Sequence, residues 1–165
     1  MKGLIIYKSN YGSTEQYARW LSEDTGYPSI AIQSVRTQDI ADSDIVILGS
    51  PVFANRPMIA RWIEKNWKLL QEKRLVLYTT SGTYPEDPQL QEGFISAFRP
   101  ETTNRIAYFP QGGRMTAAEL SPLHRFMMKL GRLIEKDPEV RAHMGEDVDR
   151  IDRSGLKPIV EHVLL

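Results

Sequence analysis

Apolar and polar positions change period repeatedly along the chain. Short apolar runs alternate with segments whose apolar residues recur at helical spacing, the pattern of a parallel sheet covered by helices on both faces. Leu4 to Tyr7 predicts a first strand. Thr14 to about Asp24 sets Tyr17, Ala18 and Leu21 on one helical face, and Gly26 ahead of Pro28 supplies the stop. Ser29 to Val35 reads as a second, less apolar strand. Asp44 to Gly49 is the clearest buried strand, β-branched and bounded by turn signals. A helix is expected over Met58 to Leu70, a fourth strand over Leu75 to Thr80, a helix over Pro88 to Phe98 and a fifth strand over Arg105 to Phe109. Helical spacing returns over Pro122 to Glu135 and over Leu156 to Leu165. The result is a single α/β domain spanning 1–165, a doubly wound sheet in which ligands bind at the carboxyl ends of the strands, near the switch in strand order.

Composition narrows the chemistry. With 165 residues the chain is long enough to bury a proper core, and 41% hydrophobic and 25% charged residues is an ordinary globular balance. Its 21 basic residues equal its 21 acidic ones, so no global field draws it to nucleic acid or a membrane. No cysteine is present, which removes disulfides, dithiol chemistry, iron–sulfur ligation and thiolate zinc sites; a redox function needs a borrowed cofactor. No metal site is expected. The N-terminus runs straight into strand-like sequence without a secretory signal, apolar runs are too short to span a bilayer, and a cytoplasmic location is expected.

Three post-strand loops suit one ligand. After the first strand, Ser9, Ser13 and Thr14 offer hydroxyls, Gly12 permits close backbone approach, and the following helix offers free N–H groups and a positive dipole end. A phosphate fits there without a cationic side chain, although Ser13 or Thr14 as a plain helix cap accounts for part of the pattern. The loop has neither G-x-x-x-x-G-K-[ST] nor the three glycines of a dinucleotide fingerprint. A phospho-acceptor receiver would need acidic residues where Tyr7, Lys8, Gly49 and Ser50 stand. The second loop, Ser50 to Pro57, and the third, Thr79 to Pro85, each carry one aromatic, and Phe53 and Tyr84 are placed to flank a flat ring.

The run LIIYKSNYGSTEQYARWL, with Tyr7, Ser9, Gly12, Thr14 and Ala18 in register, resembles the first-strand signature of the flavodoxin family, and DIVILGSPVFANRP resembles its second flavin loop. The resemblance implies a three-layer flavodoxin-like fold, a five-stranded parallel sheet in the order 2-1-3-4-5, and FMN as cofactor. It implies that Ser9, Asn10, Tyr11, Gly12, Ser13 and Thr14 surround the FMN phosphate. Ser50, Pro51, Val52, Phe53, Ala54 and Asn55, with Ser81, Gly82, Thr83 and Tyr84, would hold the isoalloxazine. Tyr11 departs from the threonine that many flavodoxins carry there.

That family contains carriers and enzymes. Carrier flavodoxins are usually strongly acidic, whereas this chain has a pI of about 6.8. After the fifth strand, AYFPQGGRMTAAELSPLHRFMMKLGRLIEKD is similar to the corresponding region of flavodoxin-like protoporphyrinogen IX dehydrogenases. Here Phe126, Met127, Leu130, Leu133 and Ile134 share a helix face, opposite Arg125, Lys129, Arg132 and Lys136. Such a stripe is normally core and predicts a helix covering the sheet; a quinone or tetrapyrrole pocket and a membrane surface at residues 122–136 are the other readings. The acidic run at Glu146, Asp147, Asp149 and Asp152 is placed to compensate the basic side, and Arg114 and His124 are candidates near the flavin. The expectation is an FMN-dependent oxidoreductase working on a quinone or tetrapyrrole, with no catalytic side chain required; the alternative is an electron carrier between redox proteins.

Overall fold

The computed structural model describes residues 1–165. Five parallel strands, β1 (Gly3–Tyr7), β2 (Ser29–Ala31), β3 (Ile45–Phe53), β4 (Arg74–Ser81) and β5 (Ile106–Gly112), form one sheet in the order β2-β1-β3-β4-β5. Leu4 lies beside Val46, Leu48 beside Leu77, and Leu77 beside Tyr108. Because side chains alternate across a strand, the apolar runs feed two cores at once. Leu4, Ile6, Val46, Leu48, Leu75 and Leu77 face one layer; Ile5, Ile45, Ile47, Val76 and Tyr78 face the other.

The first core is covered by α2 (Thr37–Ala41), α3 (Ala60–Lys65), α4 (Trp67–Leu70) and α5 (Pro88–Ala97), which contribute Ile40, Ile63, Leu70 and Phe94; α6 (Pro100–Thr103) follows α5. The second is covered by α1 (Ser13–Thr25), through Tyr17, Ala18 and Leu21, and by the C-terminal helix, through Ile159 and Val163. The three-layer, doubly wound order is the expected one, with the switch point between β1 and β3.

Several boundaries differ from those expected. Gly26 ends α1 in the left-handed conformation, φ 75°, as anticipated. The second strand stops at Ala31 and turns into a 3-10 helix, Ile32–Ser34, where no residue is buried. The helix expected over Met58 to Leu70 starts only at Ala60 and breaks at Asn66, whose side chain donates to the Trp62 carbonyl at 2.8 Å. Upstream, β3 runs on to Phe53 and folds back on a two-residue strand, Arg56–Pro57, through Ala54 and Asn55, at φ 48° and 61°. Two consecutive positive φ values make the tight hairpin whose twist matches the strands.

The largest surprise follows β5. The chain leaves the sheet for residues 113–150, forming α7 (Pro122–Ile134) and α8 (Pro138–His143), before the C-terminal helix α9 (Lys157–Leu164). The neck of this excursion is a small antiparallel ladder in which Met115 pairs with Val148 and Arg114 with Asp149. Helix α7 starts where the sequence indicates, Pro122 at its first turn and Ser121 capping the His124 N–H at 3.2 Å. None of its 13 residues is buried, so it does not cover the sheet as its apolar stripe suggested. No helix is long and apolar enough to cross a membrane.

Candidate functional site

The carboxyl ends of β1, β3 and β4 and the excursion after β5 enclose a cavity of about 530 Å³. That size suits a cofactor or drug-sized ligand, for which pockets run about 300–1,000 Å³. Its floor is the loop into α1. Gly12 sits at φ 92°, a left-handed value that disfavours any side chain, and the Ser9 hydroxyl accepts the Gly12 N–H at 3.1 Å. No side chain caps α1, and the N–H groups of Ser13, Thr14 and Glu15 have no partner. Three free donors and the positive end of a 13-residue helix meet at one edge of the cavity.

The hydroxyls beside them hold the loop in place. Ser13 Oγ accepts the Arg114 N–H at 2.9 Å and so ties α1 to the excursion. The Thr14 hydroxyl pairs with that of Thr80 at 2.8 Å, both residues buried. Tyr78 donates to the Thr14 carbonyl at 2.8 Å, and Tyr17 to the Gly112 carbonyl at 2.7 Å. Burial raises the pKa of both phenols, Tyr78 well above its ordinary value, so both stay neutral donors. Arg114, which also lines the cavity, pairs with Asp149 at 3.0 Å, so the free donors at this edge are backbone N–H groups.

Eleven of the sixteen residues singled out from the sequence line this cavity: Ser9, Asn10, Tyr11, Ser13, Thr14, Pro51, Val52, Phe53, Ala54, Ser81 and Gly82. The other five stand behind it or apart from it. Gly12 shapes the floor. The Ser50 hydroxyl accepts the Ile59 N–H at 3.0 Å and donates to the Pro51 carbonyl, which fixes the start of the second loop. Asn55 bonds the Gln89 side chain at 2.9 Å and pins the hairpin to α5. The Thr83 N–H is bonded by the Ser81 hydroxyl at 3.0 Å, closing the third loop. Tyr84 does not face Phe53 across the cavity. It is exposed, with the Arg150 guanidinium 4.2 Å over its ring, and it lines a separate cleft of about 440 Å³ together with Tyr108 and Asp152.

The wall opposite Phe53 comes from the excursion instead. His124, Met127, Met128, Leu130, Gly131 and Ile134 of α7, with Met115, Leu120 and Met144, complete the cavity. The His124 ring lies 5.6 Å from that of Phe53. The Tyr11 hydroxyl accepts the Ser121 N–H at 3.3 Å and is hydrogen-bonded to His124 Nδ1. Tyr11 therefore links the α1 loop to α7, a role its threonine-like position did not suggest. Of the methionine wall only Met127 belongs to the apolar stripe that the sequence showed; flexible thioethers suit a pocket that adapts to a planar ligand.

A family model described as flavodoxin domain matches residues 4–141. No curated protein matches the chain. Among solved structures, the flavodoxin, WrbA-like protein from Agrobacterium tumefaciens is 18% identical, with 68% of this chain and 83% of that one covered and a TM-score of 0.52. A putative flavoprotein from Bacteroides eggerthii is 17% identical, covering 82% of this chain and 99% of that one, TM-score 0.51. Oxidised flavodoxin 1 from Bacillus cereus is 16% identical, covering 68% and 85%, TM-score 0.50. At these identities the likeness concerns the fold.

Proposed function

The chain belongs to the flavodoxin domain family, and from that premise we propose that it is an FMN-dependent oxidoreductase whose second substrate is a small apolar ring compound, a quinone or tetrapyrrole of the protoporphyrinogen type. The observation that carries this reading is the pairing of two unlike walls in one cavity. Free helix N–H groups lie at one end and an apolar, methionine-rich helix covers the other.

The residues fit FMN. The phosphate would take the N–H groups of Ser13, Thr14 and Glu15, where the α1 dipole favours an anion. The flat ring would lie beside the Phe53–His124 pair and under the apolar side chains of α7, its edge read by the backbone of Val52 to Ala54 and Ser81 to Gly82. When bound, FMN supplies one- and two-electron transfer, so no acid, base or nucleophile is demanded of the protein. The chain contributes binding, orientation and exclusion of water. Met127, Met128, Leu130 and Ile134 keep the space beside the ring apolar, and His124 stands at the cavity wall, tied to Tyr11. A carrier between proteins needs the ring edge open to a partner's surface; the helix over this cavity favours a small molecule.

The test is an FMN titration followed by visible absorbance and flavin fluorescence, then anaerobic reduction of the loaded protein. Tight FMN uptake, with bound flavin reduced by protoporphyrinogen and reoxidised by a quinone, is the expected result. Flavin uptake without reaction toward either compound would overturn the substrate assignment, and no uptake at all would overturn the cofactor.

A further inference from the structure

The second cleft, of about 440 Å³, lies along the open edge of the sheet, where Tyr108 to Gly112 of β5 have no strand beyond them. Its walls carry aromatic and proline surface from Tyr84, Pro85, Tyr108, Pro110 and Pro158. The inner polar groups are engaged. The Tyr108 hydroxyl pairs with Thr79 Oγ1 at 2.8 Å, and the Tyr17 hydroxyl donates to the Gly112 carbonyl and accepts the Asp152 N–H at 2.9 Å. The Asp152 carboxylate takes both the N–H and the hydroxyl of Ser154. Gln111 is the exception. It is only 6% exposed, yet its amide bonds no group of the protein and opens on the cleft. Two N–H donors and a carbonyl are thus unused in a place where an unpartnered polar group is destabilising.

The surroundings are shaped to that amide. Alternation along β5 puts Gln111 on the face of Ala107 and Phe109, which pack against the second core, so an apolar side chain would be the ordinary occupant. Gly155 stands against it, and a β-carbon there would come 2.4 Å from Gln111 Oε1. We propose that this cleft is a second ligand site, for a small uncharged flat ring compound with an amide-type edge, a donor beside an acceptor, as in nicotinamide or a nucleobase. A glutamine amide meets such an edge with two parallel hydrogen bonds, the pairing by which glutamine reads adenine, and the aromatic walls supply surface for the ring. An anion is disfavoured. Arg150, the one cation lining the cleft, is turned to the Gly82 carbonyl and the Tyr84 ring, and Glu86 and Asp152 outnumber it. Because Gly82 lines the first cavity, the two sites share the third loop. The proposal does not rest on the FMN reading.

The test is heteronuclear NMR of the isotopically labelled full-length protein, read at the Gln111 side-chain NH₂ signals, which are identified by their loss in Gln111→Leu. The readout is local to this cleft and holds with or without FMN in the first cavity. Benzamide shifts these signals with a dissociation constant in the millimolar range or tighter, and benzoate, the same ring with an anion in place of the amide, does not. Whichever of nicotinamide and adenosine binds more tightly assigns the edge as a carboxamide or a base. Ligand shifts at the other residues of the cleft disappear in Gln111→Leu, which melts at the wild-type temperature or above because an unmet polar group has gone. Gly155→Ala displaces the amide and weakens binding about tenfold. No shift with any of the four compounds, an equal response to benzoate, or wild-type binding by both variants would overturn the proposal. So would a fall in the melting temperature of Gln111→Leu, which would mean that ordered water already satisfies the amide in the folded protein.

Discussion

The buried hydroxyl pair between Thr14 and Thr80 is the most direct gauge of how the site floor is held. The two oxygens lie 2.8 Å apart, one on the first turn of α1 and one near the end of β4, each residue at most 4% exposed. Valine has the shape of threonine without the hydroxyl. Thr14→Val leaves the Thr80 oxygen buried with no partner, and stranding such a group costs about 1–3 kcal/mol. Thr80→Val strands Thr14 at the same cost. The double variant strands neither, and replacing both partners by isosteric apolar groups is close to neutral. The expected coupling is therefore large and favourable, on the order of 2 kcal/mol or more. Urea unfolding of the flavin-free protein measures it, provided the denaturant slope is the same in all four proteins. In thermal melts each kcal/mol appears as about 2–4 °C for a chain of this size. If the double variant loses the sum of the two single losses, to within about 0.5 kcal/mol, the hydroxyls act independently and the loop is not held by this pair.

Three other outcomes test neighbouring features. Phe53→Ala removes the aromatic wall opposite α7 and is expected to weaken FMN binding about 3- to 10-fold in a fluorescence titration, with little change in stability because Phe53 is exposed. Gly93→Ala places a methyl group 1.5 Å from the Asn55 carbonyl oxygen, so α5 and the hairpin must separate; a loss of about 1–3 kcal/mol by urea unfolding and weaker FMN binding are expected from a residue that never touches the cavity. Burial raises the Glu64 carboxyl, yet the N–H and guanidinium of Arg99 outweigh it and hold the pKa below 4.5. Its stabilisation is complete above the ordinary carboxylate range and is lost as pH falls through the lowered value, so Arg99→Gln makes urea stability less sensitive to acid.

The sheet and the α1 loop were legible because local and tertiary signals agree there. Ile45 to Leu48 is apolar at every position because both faces of the sheet are covered, and Gly26 stops α1 because only glycine adopts its left-handed cap without cost. Boundaries failed where a single side chain or a tertiary bond decides. Asn66 breaks a helix by bonding Trp62, and the hairpin after Phe53 depends on Ala54 and Asn55 at positive φ, a conformation that asparagine tolerates but alanine does not announce. Tyr84 was assigned to the ring by its loop, but Arg150, distant in sequence, draws it outward. Helix α7 misled for a more general reason. An apolar stripe records that some apolar surface is to be covered, and it does not say whether the cover is the sheet, a ligand or something outside the chain.

The neck of the excursion gives the protein a modular construction. Where the chain departs, the Gly113 N–H bonds the Ser81 carbonyl at 2.6 Å; where it returns, the Arg150 N–H bonds the Gly113 carbonyl at 3.0 Å. The two ends are thus stapled side by side to β4, and the sheet, both cores and the free α1 donors lie outside the loop they close. A short turn joining Gly113 to Arg150 would excise the cassette between them and leave the sheet, both cores and the free α1 donors. Drift or engineering in the cassette can then remodel one wall of the cavity while the α1 donors and the loops after β3 and β4 stay as they are, so that the polar and the apolar ends of the site are inherited as separate parts.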